Sequence, residues 1–164
     1  IYNAFGSKEG LYVACLERFR LAYMRKALQA LDEPDFAIAL YKLCDCLFGG
    51  FDREALPGGC LATLSALEMG GSGGEVTDAI IVCMEEKLQR VTERCQKAID
   101  DGQLEAKWDA AQVAAMIVAV ARGVIVLGMG TGNRWAGRQA YGELLMLLVA
   151  VALANPPALA SIDV

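Results

Sequence analysis

Apolar residues recur along this chain at intervals of three and four, and nothing alternates with period two for long enough to suggest a sheet. Pro and Gly punctuate the pattern into helices. The stretch from about Lys8 to Leu31 puts Leu11, Cys15, Phe19 and Ala22 on one stripe, with Arg18, Arg20, Arg25 and Lys26 elsewhere. It ends before Asp32-Glu33-Pro34, and Pro34 suits the first position of the next helix. That helix, about 34–49, is predicted to turn Ile38, Tyr41 or Leu43, Leu47 and Phe48 inward and to stop at Gly49-Gly50. Residues 51–58 read as a loop, Cys60 to Met69 as a short helix, and Gly70-Gly71-Ser72-Gly73-Gly74 as a break.

The clearest periodicity lies at 75–101. Ile80, Met84, Leu88, Val91, Cys95 and Ile99 form a continuous apolar stripe, and Glu85, Glu86, Gln89, Arg90, Glu93 and Lys97 the outer face. Gly102 ends the helix. Trp108-Asp109 then opens another: Asp109 suits the cap, Gln112 the reciprocal partner, and Trp108 a staple onto Val113. The helix 110–129 is apolar nearly all round, with Arg122 its one charge. Gly130-Thr131-Gly132-Asn133 turns the chain into a last helix, about 134–154, which runs through Leu144 to Leu153 and ends at Pro156-Pro157. The fold class is therefore all-α, with no internal repeat.

Helices apolar on every face need burial on every face. A membrane hairpin would meet that need, but Arg122 interrupts the first run and the second is short for a span. A homodimer meets it better, the last two helices pairing with their copies as a four-helix bundle. Ala115, Ala119 and Gly123 recur every four residues as a ridge of small side chains, and Leu127, Leu144, Leu148 and Val151 extend the expected interface.

The N-terminus carries a different signal. Ile1 to Tyr12 reads as a helix end, a two-residue turn and a helix start. Gly6 can adopt the left-handed conformation that stops a helix. Ser7 can cap the next one, with Glu9 in its first turn favoured by the dipole. Tyr2, Asn3 and Lys8 gather at this junction, an aromatic hydroxyl, an amide and an ammonium suited to phosphate and base-edge contact. An ordinary helical corner with solvated polar residues has the same spacing.

Composition narrows the chemistry. The 164 residues suffice for one core, and 55% are hydrophobic against 21% charged. The chain has no histidine, which excludes a Ser-His-Asp triad, a Cys-His pair and any His-ligated metal within it. No nucleophile–base spacing is visible, so the reading is a non-enzyme with no cofactor and no metal. A net charge of −5 and a pI near 4.8 do not suit a nucleic-acid surface on the body. Since the chain starts with Ile in mid-helix, an upstream basic segment is expected to complete any DNA-reading module. Cysteines 15, 44, 46, 60, 83 and 95 include no CxxC and no zinc spacing, and read as free thiols in a reducing cytoplasm, with a redox role for one left open. No signal peptide is visible.

The corner resembles the end of the recognition helix and the start of the linking helix in the tetracycline-repressor (TetR/AcrR) family of transcriptional regulators. Tyr2, Phe5, Gly6, Ser7, Lys8, Glu9 and Leu11 carry the resemblance; Ala4 departs from it, standing where many relatives have a larger polar residue. The resemblance implies that Tyr2 and Lys8 touch DNA phosphates and that Asn3 sits near base edges. It implies a DNA-binding remnant with its linking helix at 1–30 and a ligand-binding and dimerisation domain at 31–164. It also implies a ligand cavity among the middle helices. Phe48, Leu64, Leu67, Met69, Met84, Leu88 and Met116 would supply walls, and Glu68 and Arg122 would orient a polar group. Each apolar residue could equally be core, and Arg122 could be a structural ion pair with Glu68 or Glu143. The implied function is a homodimeric, ligand-responsive repressor, released from operator DNA by a small apolar molecule, cytoplasmic and without a membrane role. DNA binding is expected only with the missing N-terminal segment. The alternatives are a helical small-molecule-binding protein and a dimerisation module without DNA binding.

Overall fold

In the computed structural model, residues 2–48, 60–131, 139, 142 and 143 are described, apart from the side chains of Tyr2, Asn3, Phe48 and Thr131. The expected loop at 51–58 and most of the last helix at 134–154, with Leu144, Leu148 and Val151, lie outside these residues. The described residues are helical and contain no strand. Helix α1 is Tyr2–Phe5, and α2 runs unbroken over 8–32. Helices α3, α4, α5 and α6 follow as Phe36–Phe48, Leu61–Met69, Glu75–Asp100 and Ala110–Thr131.

The α1–α2 corner forms as its residues dictate. Gly6 has φ +73°, and Ser7 accepts a 3.0 Å hydrogen bond from the Gly10 amide. Gly10 is needed for a second reason. A Cβ there would lie 2.3 Å from the Phe5 carbonyl oxygen, so only glycine lets the two helices meet so closely.

Helix α2 contains a π turn at Arg20–Met24 and closes with a 3-10 turn at Gln29–Asp32. The expected stripe of Leu11, Cys15, Phe19 and Ala22 is not the buried one. Leu16 is buried before the π turn, flanked by half-buried Tyr12 and Phe19; Met24, Ala27, Leu28 and Leu31 are buried after it. Cys15 and Ala22 are exposed. The wider turn resets the phase of the helix, so one straight period cannot describe both halves.

Helix α3 begins two residues later than Pro34. The Asp35 carboxylate caps it by accepting from the Ile38 amide at 2.9 Å, and the Pro34 carbonyl accepts from Arg94 and Gln103 instead. Its phase also corrects the sequence reading. Phe36, Ala39, Leu40, Leu43 and Cys44 face inward, while Ile38 and Tyr41 are 40% and 44% exposed.

Helix α5 obeys its predicted bounds. Gly74 at φ +86° admits it, and Gly102 at φ +71° ends it with the Gln103 amide donating back to the Ala98 carbonyl at 2.8 Å. Asp109 caps α6 as expected, accepting from the Gln112 amide at 2.8 Å.

Two cores result. The larger joins the end of α2 with α3, α5 and α6 around Phe36, Leu40, Val91, Leu104 and Ile117. The smaller joins the first half of α2 with α4 and α5 around Leu16, Ala62, Val76 and Ile80. Phe19 and Cys60 pack against both. Helices α2 and α5 are the common members, so movement of α5 bears on both cores.

Candidate functional site

The buried stripe of α5 runs Val76, Ile80, Cys83, Lys87, Val91, Cys95 and Ala98, with Arg94 beside Cys95. Ile80, Val91 and Cys95 of the stripe read in the sequence lie on it, but Leu88 is 39% exposed, and Lys87 takes the interior position. Lys87 has only 6% of its surface exposed. No acid pairs with it among the described residues. Burying an unpaired ammonium costs on the order of several kcal/mol, so its presence on this stripe calls for a reason.

Arg122 on α6 adds a second cation. It is half-buried, its Nη2 donates to the Met84 sulfur, and its Nε is buried with no partner among the described residues. A thioether is a weak acceptor, so the guanidinium is under-satisfied. Neither Glu68 nor Glu143 pairs with it; both are exposed. Burial lowers the pKa of Lys87, and the nearby charge of Arg122 lowers it further; Cys60 acts the other way. Burial likewise lowers the Arg122 value, again opposed by Cys60. Met84, three residues from Lys87 on α5, receives the Arg122 hydrogen bond, so Lys87, Met84 and Arg122 form one cluster between α5 and α6, and Cys60 at the start of α4 packs against both cores. Thr63, one turn beyond Cys60 on α4, has a buried hydroxyl oxygen with no partner among the described residues.

The other buried cation has a different use. Arg94 is 5% exposed and donates to the carbonyls of Glu33 and Pro34 at 3.1 and 3.0 Å, over the face of Phe36 at 5.1 Å. Gln103 donates to the same Pro34 carbonyl at 2.9 Å and accepts from the Phe36 amide at 2.7 Å. Arg94 and Gln103 thus fasten the α2–α3 corner onto α5.

The opposite side of α5 holds α2. Arg20, in the π turn, donates to Glu86 at 2.8 Å; this bond raises the Arg20 pKa, and Arg25 stands 3.8 Å from the same carboxylate. Ser65 donates to the Leu61 carbonyl at 2.7 Å, which leaves Tyr12 as the donor to Ser65 Oγ at 2.8 Å. Glu86 and Lys87 are neighbours in sequence, so one turn of α5 presents one face to α2 and the other to the cation cluster.

The remaining sequence candidates distribute as follows. Of the expected cavity residues, Met84 and Arg122 come together; Leu64 and Met69 are half-buried; Leu67, Glu68, Leu88 and Met116 are exposed on the single chain. The side chain of Phe48 lies outside the described residues. Ala115, Ala119, Gly123 and Leu127 share the exposed face of α6, together with Met116 and Val126. Lys8 is exposed at the N-terminal corner. Among the described residues, no group of three or more carboxylate, thiol or imidazole side chains could hold a metal ion. By length and composition Ala110–Gly130 could cross a membrane, but 44% of its most apolar window is buried within the fold.

Sequence reasoning missed Lys87. The signal was present: it lies four residues from both Cys83 and Val91, on the i, i+4 path of the helix. Two surface concavities lie elsewhere. One of about 260 Å³ involves Leu31, Glu33, Arg90 and Arg94, and one of about 670 Å³ involves Phe5, Leu11, Cys15 and Leu21.

Known proteins share this fold. The family model for the tetracyclin repressor-like C-terminal domain matches residues 38–141. The fold is similar to a TetR-family transcriptional regulator from Cytophaga hutchinsonii, with TM-score 0.77, 18% identity, and coverage of 94% of this chain and 78% of that one. It is also similar to the reduced form of E. coli NemR, with TM-score 0.73, 17% identity, and coverage of 95% and 79%. No curated protein is detectably similar in sequence.

Proposed function

We propose that this chain, which belongs to the tetracycline-repressor-like (TetR) family, is the sensing and dimerising part of a repressor that a small ligand releases from operator DNA. The observation that carries the reading is the double role of α5. Its interior face holds an under-satisfied polar cluster in an otherwise apolar core, the composition of a ligand site. Its outer face is bonded to α2 through Glu86, and α2 leads through Ser7 and Gly6 to α1.

A ligand that shifts α5 or α6 would change the tilt of α2. In a dimer, that tilt sets the separation of two reading heads, and DNA accepts only separations matched to its helical repeat. The ligand acts only through its unequal affinity for the two separations. Ala115, Ala119, Gly123 and Leu127 are the proposed two-fold face, since small residues allow close helix approach. Tyr2, Asn3 and Lys8 are the proposed DNA contacts, in the context of a complete reading head.

The test is operator binding by the full natural protein, followed by fluorescence anisotropy with and without ligand. The expected result is specific, salt-dependent binding that ligand weakens. Binding to no site in its own upstream DNA would favour a dimerisation module or a ligand carrier instead.

A further inference from the structure

We infer that Lys87 and Arg122 together form an anion subsite, so that the ligand of this protein carries a carboxylate or a comparable anionic group on an apolar body. The inference rests on the ligand-sensing reading above and names the chemistry of that site.

Three observations converge on it. Lys87 is more than nine-tenths buried, and no carboxylate among the described residues balances it. Arg122 reaches the same cluster from the facing helix, its Nη2 donating to the sulfur of Met84 and its Nε buried with no partner among the described residues. The charge of Arg122 also disfavours the charged form of Lys87. A core gains nothing from two like charges with no counter-ion, whereas an incoming anion meets both at once. The remaining neighbours fit the rest of such a molecule. Met84 gives an adaptable apolar wall, and the larger and smaller cores continue the apolar surface on either side of Cys60. A neutral hydrocarbon would leave both cations unpaired, and a cationic ligand would add a third like charge. The ligand class is therefore an organic acid.

The experiment compares octanoate with 1-octanol, and phenylacetate with 2-phenylethanol, by calorimetric titration at constant ionic strength. Wild-type protein and the variants Lys87→Met, Lys87→Arg and Arg122→Met are used. At least one acid should bind wild type about ten- to a hundredfold more tightly than its alcohol, the range of a charge-assisted hydrogen bond. Lys87→Met and Arg122→Met should reduce that acid to the affinity of its alcohol, and Lys87→Arg should restore most of the preference. Equal affinity for acid and alcohol, including no binding by either, overturns the inference. So does undiminished acid binding by Lys87→Met. Operator anisotropy on the full natural protein separates the two readings. Acids that bind without weakening the operator complex sink the repressor reading and leave the subsite standing. Alcohols that release operator as well as acids do so sink the subsite and leave the repressor reading standing.

Discussion

Arg20 of α2 donates to Glu86 of α5 at 2.8 Å, and Glu86 immediately precedes the buried Lys87. The pair sits at the π turn of α2, inside that long helix. Arg20 is the first residue of that wide turn and faces α5 from it.

Glu86→Gln should therefore weaken communication more than stability. Both side chains are about a quarter exposed, so the pair contributes no more than about 1 kcal/mol. In the full natural protein, ligand affinity should stay near wild type while the ligand-induced loss of operator affinity shrinks. A variant that retained the whole response would show that the signal passes elsewhere, with Tyr12–Ser65 the next candidate.

Lys87 predicts an unusual pH dependence. Its folded pKa is lowered from 10.5 by burial, so the unfolded chain holds the proton more tightly than the folded one. The cost of burying the charge is present in full below the folded pKa. It is relieved as pH rises through that value toward 10.5, so this residue makes stability rise with pH. Lys87→Met should be more stable than wild type at pH 7, by on the order of 1 kcal/mol, with the gap narrowing at higher pH. Urea denaturation of both proteins at several pH values checks this. A destabilised methionine variant would mean that the ammonium has a partner in the fold.

Cys95 is fully buried, and burial pushes its thiol up to about 12. It should stay unlabelled by iodoacetamide in the native protein at pH 8, while exposed Cys15 and Cys46 react first. Mass spectrometry of the labelled peptides gives the order. Its stability contribution has the opposite sign to that of Lys87, lost as pH rises above the unfolded value of 9.0. Comparing wild type with Lys87→Met at each pH cancels it.

The face of α6 built from Ala115, Ala119 and Gly123 should carry the dimer contact. Ala119→Arg places a long charged side chain on an exposed position of the single chain, so the fold should survive with a change within about 0.5 kcal/mol. Sedimentation equilibrium should show a dimer for wild type and a monomer for the variant. An unchanged dimer would move the interface off this face.

Much of the fold was legible in the sequence, because helix bounds depend on local chemistry. Gly6, Ser7, Gly74, Gly102 and Asp109 end or open helices through their own backbone freedom or their own side-chain acceptors, and each acts where it was read. The phase of a helix is another matter. Ile38 was expected inside and lies at the surface, Leu43 rather than Tyr41 took the interior position, and Leu88 gave way to Lys87. A helix apolar on several faces offers several stripes of similar hydrophobicity, and only the neighbouring helix selects one. In α2 the π turn made the choice different in its two halves.

The candidate site divides the same way. Arg122 stood out in sequence as a lone charge in an apolar helix, and Met84 lay on a recognisable stripe. Lys87 shared the i, i+4 path of Cys83 and Val91, but its charge set it among its neighbours Glu85, Glu86 and Arg90, because charge says nothing about which way a helix is turned. By itself, the sequence determined the helical class, the capped corners, the absence of histidine chemistry and the resemblance to a regulator. Tertiary packing alone decided which face of α5 meets α6. That rotation brings one lysine out of water beside one arginine, and burial rather than composition turns an ordinary surface residue type into a candidate receptor for an anion.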